Sequence, residues 1–429
     1  MLATKAEAPV MTEAAHRASF FRQSGWLMIA NIAGGALMWA VHFLSRPIGP
    51  KEYGIFGVLL AVIMVIPTMP LQMVMAQQTA KALATGRLAE LAGMIRKLVL
   101  ATFLIWLVPA VVVGIFQHRI VADWGLTNPA SLWITLVSVL LSVWMFIFWG
   151  SLQGQQNFLW LGWSMMLNGV GRLGIAALTV LVFGCLATGM MTGVLLGMVT
   201  AAAIACWQTR KLWSGPTAPF DWRSLVAEII PPMVGFTAFY FLFTADTMFV
   251  KAYFSGAASG FYVSAGTLSR ALLWLVGPLT SVMFPRIVHS TAKSEKSNLV
   301  GMVLLGTGII SLCGAIGLSV LGRFAVGIVS GPAFVAVAGS ILPWYAFAMV
   351  PLALANVLLN NLLARSAFKV VIPLCILAGA YGYALTRFHT SLVMVLQTMM
   401  VFNLLLFALC AFFTWAKSSS PAPQAAQAA

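Results

Sequence analysis

The chain has 429 residues, 61% of them hydrophobic and only 8% charged, against roughly 25% charged in soluble domains, so it reads as an integral membrane protein. Its net charge of +15 would suit nucleic acid. The basic residues lie between apolar runs rather than on one aromatic-interleaved face, however, so membrane topology is the better explanation and no nucleic acid is expected.

Residues 1–25 are polar and Ala-rich, with no apolar core before a cleavage site; they read as a cytoplasmic N-terminal segment rather than a cleaved signal peptide. Twelve runs then follow that can each cross ~30 Å of hydrocarbon. They are Trp26–Leu44, Gly54–Ala76, Leu98–Phe116, Ala130–Gly150, Leu159–Phe183, Ala187–Trp207, Ile230–Val250, Phe261–Met283, Leu299–Leu321, Val335–Leu359, Val370–Thr386 and Leu392–Thr414. Spans 1–6 make an N-lobe over 26–208, and spans 7–12 a C-lobe over 230–415. Residues 209–229 form a linker between the lobes. Both 77–97 and 209–229 carry helical periodicity with basic residues and are expected as interfacial helices on the cytoplasmic surface. The Ser/Pro/Ala/Gln tail, 416–429, has nothing to bury and is expected to be disordered.

An even number of spans starting inside puts sixteen Lys and Arg on the cytoplasmic side and six on the other, as the positive-inside rule requires. Both termini are therefore expected in the cytoplasm, in a bacterial inner membrane. The five cysteines all lie in apolar runs, so neither a disulfide framework nor a metal site is indicated.

The chain also repeats itself. Ile48-Gly49-Pro50-Lys51-Glu52-Tyr53-Gly54-Ile55-Phe56, after the first span, aligns with Phe254-Ser255-Gly256-Ala257-Ala258-Ser259-Gly260-Phe261-Tyr262 after the seventh. Trp149 to Phe158 corresponds likewise to Leu359 to Phe368. Two six-span halves running in the same direction imply a pseudo-two-fold axis along the membrane normal, with a substrate site between them.

Charges at membrane depth are the functional candidates. Asp246 is the only acid placed there, and Arg270 follows on the returning helix, about ten residues past the turn. At ~1.5 Å rise per residue both lie roughly 10–15 Å below the outer surface, where they can meet. Each costs ~2.5–3.5 kcal/mol on insertion scales, so each is a functional residue unless the pair simply pins two helices. Arg172 sits near the midplane in Asn168-Gly169-Val170-Gly171-Arg172, whose small residues would let a backbone or a ligand approach closely. With Lys251 near the outer end, these residues leave excess positive charge that suits a cavity receiving phosphate. Asn31, Asn168 and Asn356 could line it and bind sugar hydroxyls, or bond between helices; Asn403 and Gln72 carry the same two readings. Pro67, Pro70, Pro278, Pro343 and Pro351 would interrupt helices in both halves, and His42 reads as an interfacial polar contact. There is no P-loop, no metal-ligand spacing and no paired carboxylates, so no catalytic residues, no cofactor and no metal are expected, and the protein is not read as an enzyme.

Arg46-Pro47-Ile48-Gly49-Pro50-x-x-Tyr53-Gly54, then Asp246, Gly260-Phe261-Tyr262-x-x-Ala265-x-x-Leu268-x-Arg270 and Phe284-Pro285-Arg286, resemble the polysaccharide-transporter branch of the multidrug/oligosaccharidyl-lipid/polysaccharide flippase superfamily. The resemblance implies an all-α membrane protein of twelve helices in two parallel six-helix lobes around a cationic cavity. It implies movement of an undecaprenyl-diphosphate-linked oligosaccharide from the cytoplasmic to the outer leaflet by alternating access, in company with glycosyltransferases and a polymerase. Arg172 and Arg270 would then hold the diphosphate, and Asp246 could couple entry to H+ or Na+. A cation-coupled multidrug antiporter of the same superfamily is the rival within transport, weakened by the absence of an acid in the first span. A non-transporting scaffold of an envelope-assembly complex is the rival outside it.

Overall fold

A computed structural model describes residues 13–254, 256–292 and 299–416, in backbone alone over 13–24, 277–292 and 299. Among the described residues the chain is helical throughout, with no strand. Ser255 of the central turn, the side chains of Phe284-Pro285-Arg286 and the tail beyond Ala416 lie outside what is described.

The helices are α1 (Glu13–Ala40), α2 (Ser45–Met64), α3 (Met69–Thr85), α4 (Leu88–Asp123), α5 (Ala130–Gly154), α6 (Phe158–Leu181), α7 (Leu186–Gln208) and the short α8 (Arg210–Trp213). They continue as α9 (Trp222–Tyr253), α10 (Ala258–Ala292), α11 (Leu299–Val329), α12 (Pro332–Ala364), α13 (Val371–Arg387) and α14 (Leu392–Trp415). Among the described residues, ten stretches can cross a membrane by length and composition, the first being the 61 residues Gly25–Thr85. That stretch is long enough for two crossings at about 20 residues each, and it breaks at Gly49, whose φ of 77 and ψ of 171 leave the helical region. Adding α10, a helix of 35 residues, brings the crossings to twelve.

Several local expectations are corrected. The second span is two helices rather than one. Pro67 lies in the break and Pro70 opens α3, where a missing N–H costs nothing. By contrast Pro343 and Pro351 sit inside an unbroken α12. Residues 77–97 make no separate interfacial helix: α3 runs on to Thr85, Gly86 caps it in the left-handed region (φ 71), and α4 starts at Leu88. Of 209–229, only α8 and the first turns of α9 are helical. Arg96 on α4 braces the rest, its Nε donating to the Trp213 carbonyl (2.6 Å) and Nη2 to that of Gly215 (2.8 Å), while Ala218 N donates to the Ala89 carbonyl. The linker is thus tied to α4 by hydrogen bonds, and Leu212 and Leu225 are buried within it.

The contacts divide the chain into two compact units. One holds the chain to Ile48 with Ile66–Ile229; the other holds Gly49–Val65 with the chain from Ile230. The N-lobe expected over 26–208 is therefore interrupted, because Gly49–Val65 packs with α10. Gly49 makes the departure possible with φ 77, which a side chain would strain. Beyond it the two repeat-related segments press together. A Cβ on Gly54 would strike Ser259, one on Gly260 would strike the Pro50 carbonyl, and Tyr53 OH pairs with Thr267 Oγ1 at 3.1 Å. Phe334 of α12 receives the edges of both Tyr53 (5.9 Å) and Phe261 (5.8 Å), so the residues that carry the sequence resemblance are packing partners.

Within each unit the packing repeats. The helix of the second crossing packs on the fourth and the fourth on the sixth: α3 on α5 and α5 on α7, then α10 on α12 and α12 on α14. The third crossing is little buried in each half, 11% for α4 and 17% for α11. Apolar burial gives no net drive between helices in lipid, so close approach of small residues carries the association. On α1 and α6, a Cβ at Gly169 would lie 2.6 Å from the Gly34 carbonyl.

Candidate functional site

In the second unit α10 presents Tyr262, Gly266 and Arg270 four residues apart, one stripe of a helix. Arg270 Nη2 reaches Asp246 of α9 at 2.8 Å to Oδ1 and 3.0 Å to Oδ2, and donates also to Thr247 Oγ1 at 2.8 Å. Tyr262 OH donates to Asp246 Oδ2 at 2.9 Å. Gly266 leaves room for the phenol of Tyr345 from α12, whose hydroxyl donates to the same oxygen. Asp246 is wholly buried, and the Arg270 side chain is 14% exposed.

This carboxylate is thus neutralised by one guanidinium and satisfied by two phenols, the condition under which an ion pair survives in a medium that cannot solvate it. The guanidinium also lies 5.3 Å from the centre of the Phe243 ring and 5.5 Å from that of Tyr345. Within this unit, Arg270 Nε and the hydroxyl of Tyr381 are buried donors with no hydrogen bond among the described residues. Chemically the cluster can hold an anion on the unused side of Arg270, or admit a cation to Asp246 when Arg270 turns away.

Arg172 lies in the other unit, on α6, and is 9% exposed. The small residues around it are taken up by neighbouring helices rather than by a ligand: Gly169 meets α1, and Gly193 and Gly197 of α7 lie against the Arg172 backbone. Arg172 is itself engaged by a partner, so its charge is not the bare excess the sequence suggests. His42, expected at the interface, is buried in the 3-10 turn within electrostatic range of Arg172. Asn168 is beside it, with Nδ2 3.6 Å from Met38 Sδ.

The remaining expected residues are dispersed. Asn31 is exposed on α1. Asn356 accepts from Asn360 one turn on in the same helix (3.0 Å). Lys251 is buried near Glu52 and Lys51. Glu52, beside Lys251, is a second buried acid, only 5% exposed. Asn403 donates to the Ala348 carbonyl and Gln72 to Gln153, both bonds between helices. Reading along α10 could have found Tyr262, which shares the stripe of Arg270; Tyr345, 99 residues from Asp246, gives no local signal.

The fold is shared with solved transporters and a flippase. The chain is similar to a multidrug resistance MATE family transporter of the MOP superfamily in an inward-facing conformation, with a TM-score of 0.68 at 11% identity over 90% of this chain and 96% of that one. It is similar to the lipid II flippase MurJ, in an inward closed conformation, with a TM-score of 0.67 at 13% identity over 91% and 87%. The MATE transporter VcmN of Vibrio cholerae gives 0.59 at 15% identity over 92% and 99%. Among curated proteins no relative matches. This is the fold of the multidrug/oligosaccharidyl-lipid/polysaccharide flippase superfamily, a class of transporters and flippases rather than enzymes. Within that class, the chain belongs to the family described as polysaccharide biosynthesis protein, whose model matches residues 20–291.

Proposed function

We propose that this multi-pass membrane protein is a flippase that moves an undecaprenyl-diphosphate-linked oligosaccharide across the bacterial cytoplasmic membrane by alternating access, with both termini cytoplasmic. The observation that carries the reading is Arg270. One prong is fixed on Asp246 and Thr247, and its buried Nε carries no hydrogen bond among the described residues, so the guanidinium keeps a donor for a phosphate oxygen. Arg172 supplies a second buried guanidinium, in the other unit. Family membership supports a polysaccharide precursor as cargo. In this reading the protein works beside glycosyltransferases and a polymerase, and Asp246 takes up H+ or Na+ when phosphate draws Arg270 away.

A second reading, a cation-coupled multidrug antiporter, is favoured by the likeness in fold to MATE transporters and by a buried carboxylate ringed with hydroxyl oxygens. A scaffold role gives Arg270 no use for its spare donor.

Reconstituted protein separates the readings. Proteoliposomes holding a fluorescent undecaprenyl-diphosphate oligosaccharide should show it crossing with the parent. Transport should be lost with Arg172→Ala and with Arg270→Ala at normal insertion, and partly kept with either Arg→Lys variant. Full transport by both alanine variants sinks the role of the guanidiniums. Exchange of a cationic drug for H+ or Na+, with no movement of the lipid-linked sugar, establishes the antiporter instead.

A further inference from the structure

Away from the buried charges, the first unit has an apolar groove of about 550 Å³ between α4, α5, α7 and the linker helix α8. That volume falls within the ~300–1,000 Å³ of small-ligand sites. Val99 and Phe103 of α4, Trp144 of α5 and Cys206 of α7 line it, and Trp213 of the linker closes one end. Its indoles offer it no polar group: Trp144 Nε1 donates to Thr102 Oγ1 (3.2 Å) and Trp213 Nε1 to the Cys206 carbonyl (3.3 Å). An occupant of such walls must be a hydrocarbon chain.

The rim states what the chain is attached to. Arg96 is the one charged residue lining the groove, and no acid does. Its Nε and Nη2 hold the linker carbonyls, and the side chain stays exposed. Lys97 and Arg210 do not line the groove and lie instead over the rings of Phe220 (5.4 Å) and Trp207 (4.3 Å). From Arg96 to Phe103 the groove descends about 10 Å at ~1.5 Å per residue, so its charged rim sits at a span end and its floor in the hydrocarbon.

We propose that this groove is a site for an anionic phospholipid of the bilayer, its phosphate on Arg96 and one acyl chain running past Val99 and Phe103 to Trp144. Basic rims at span ends recognise anionic headgroups, because phosphatidylcholine offsets its phosphate with a quaternary ammonium whereas an anionic lipid leaves the whole phosphate charge to the guanidinium. Since Arg96 and Trp213 also hold the linker, the lipid occupies the joint between α4 and the chain that leads to the second unit.

Cys206 supplies the probe. In protein carrying Cys185→Ser, Cys313→Ser, Cys375→Ser and Cys410→Ala, N-ethylmaleimide labelling of Cys206 is timed in phosphatidylcholine nanodiscs with and without phosphatidylglycerol. Phosphatidylglycerol should slow labelling about fivefold, the weight of one basic residue at an anionic surface. Arg96→Gln should remove that protection and Lys97→Gln should keep it. Native mass spectrometry of the parent should retain phosphatidylglycerol and shed phosphatidylcholine. Equal labelling in the two lipids, protection that survives Arg96→Gln, loss of protection in Lys97→Gln, or a parent that retains no phosphatidylglycerol overturns the proposal. Equal protection by undecaprenyl diphosphate overturns it too, since the groove would then belong to the transported lipid.

Discussion

Removing Arg270 leaves Asp246 as a buried carboxylate held by Tyr262 and Tyr345 alone. Breaking one partner of a buried pair costs about 3–5 kcal/mol. The two phenols remain as donors, so Arg270→Gln should fall toward the lower end of that range. Tyr345→Phe removes a single donor to a charged acceptor, a loss of about 1.5–3 kcal/mol. Asp246→Asn combined with Arg270→Gln removes both charges, and should recover most of the loss because an amide pair needs no counter-ion. Thermal unfolding of the purified protein in detergent, followed by tryptophan fluorescence at a fixed scan rate, reads the order. At roughly 1–2 °C per kcal/mol for a chain this long, Arg270→Gln should melt roughly 3–10 °C below the parent and the double variant close to it. A double variant no more stable than Arg270→Gln alone would refute the pairing as a source of stability. If the double variant instead melts like the parent, transports as well and keeps the same ion dependence, the pair is only structural and Asp246 couples nothing.

Two further outcomes test the packing and the topology. Gly260→Ala should destabilise by about 1–3 kcal/mol, because its Cβ would overlap the Pro50 carbonyl, whereas Gly379→Ala, with open space around it, should be neutral or slightly stabilising; equal melting temperatures contradict the contact between the two repeat segments. Gly256→Cys should react with an impermeant thiol reagent on intact cells, in a background without the native cysteines, and Gly86→Cys should not; labelling of both, or of Gly86→Cys alone, reverses the orientation.

Sequence by itself determined the spans, since hydrocarbon thickness fixes how long an apolar run must be and the runs are read one at a time. It also placed Asp246 and Arg270 at matching depth, because the turn between them is short and a helix rises regularly on either side. The periodic stripe Tyr262, Gly266, Arg270 was legible by the same rule. Only the tertiary structure brought Tyr345 to the carboxylate and His42 to Arg172, through helices far apart in the chain. Likewise the glycines beside Arg172 looked equally fit for a ligand or a neighbour, and α1 and α7 claimed them. The placing of Gly49–Val65 with α10 rests on backbone approach at Gly54 and Gly260. Pairing of that kind is a property of two surfaces together, and no periodicity within one segment records which partner it will meet.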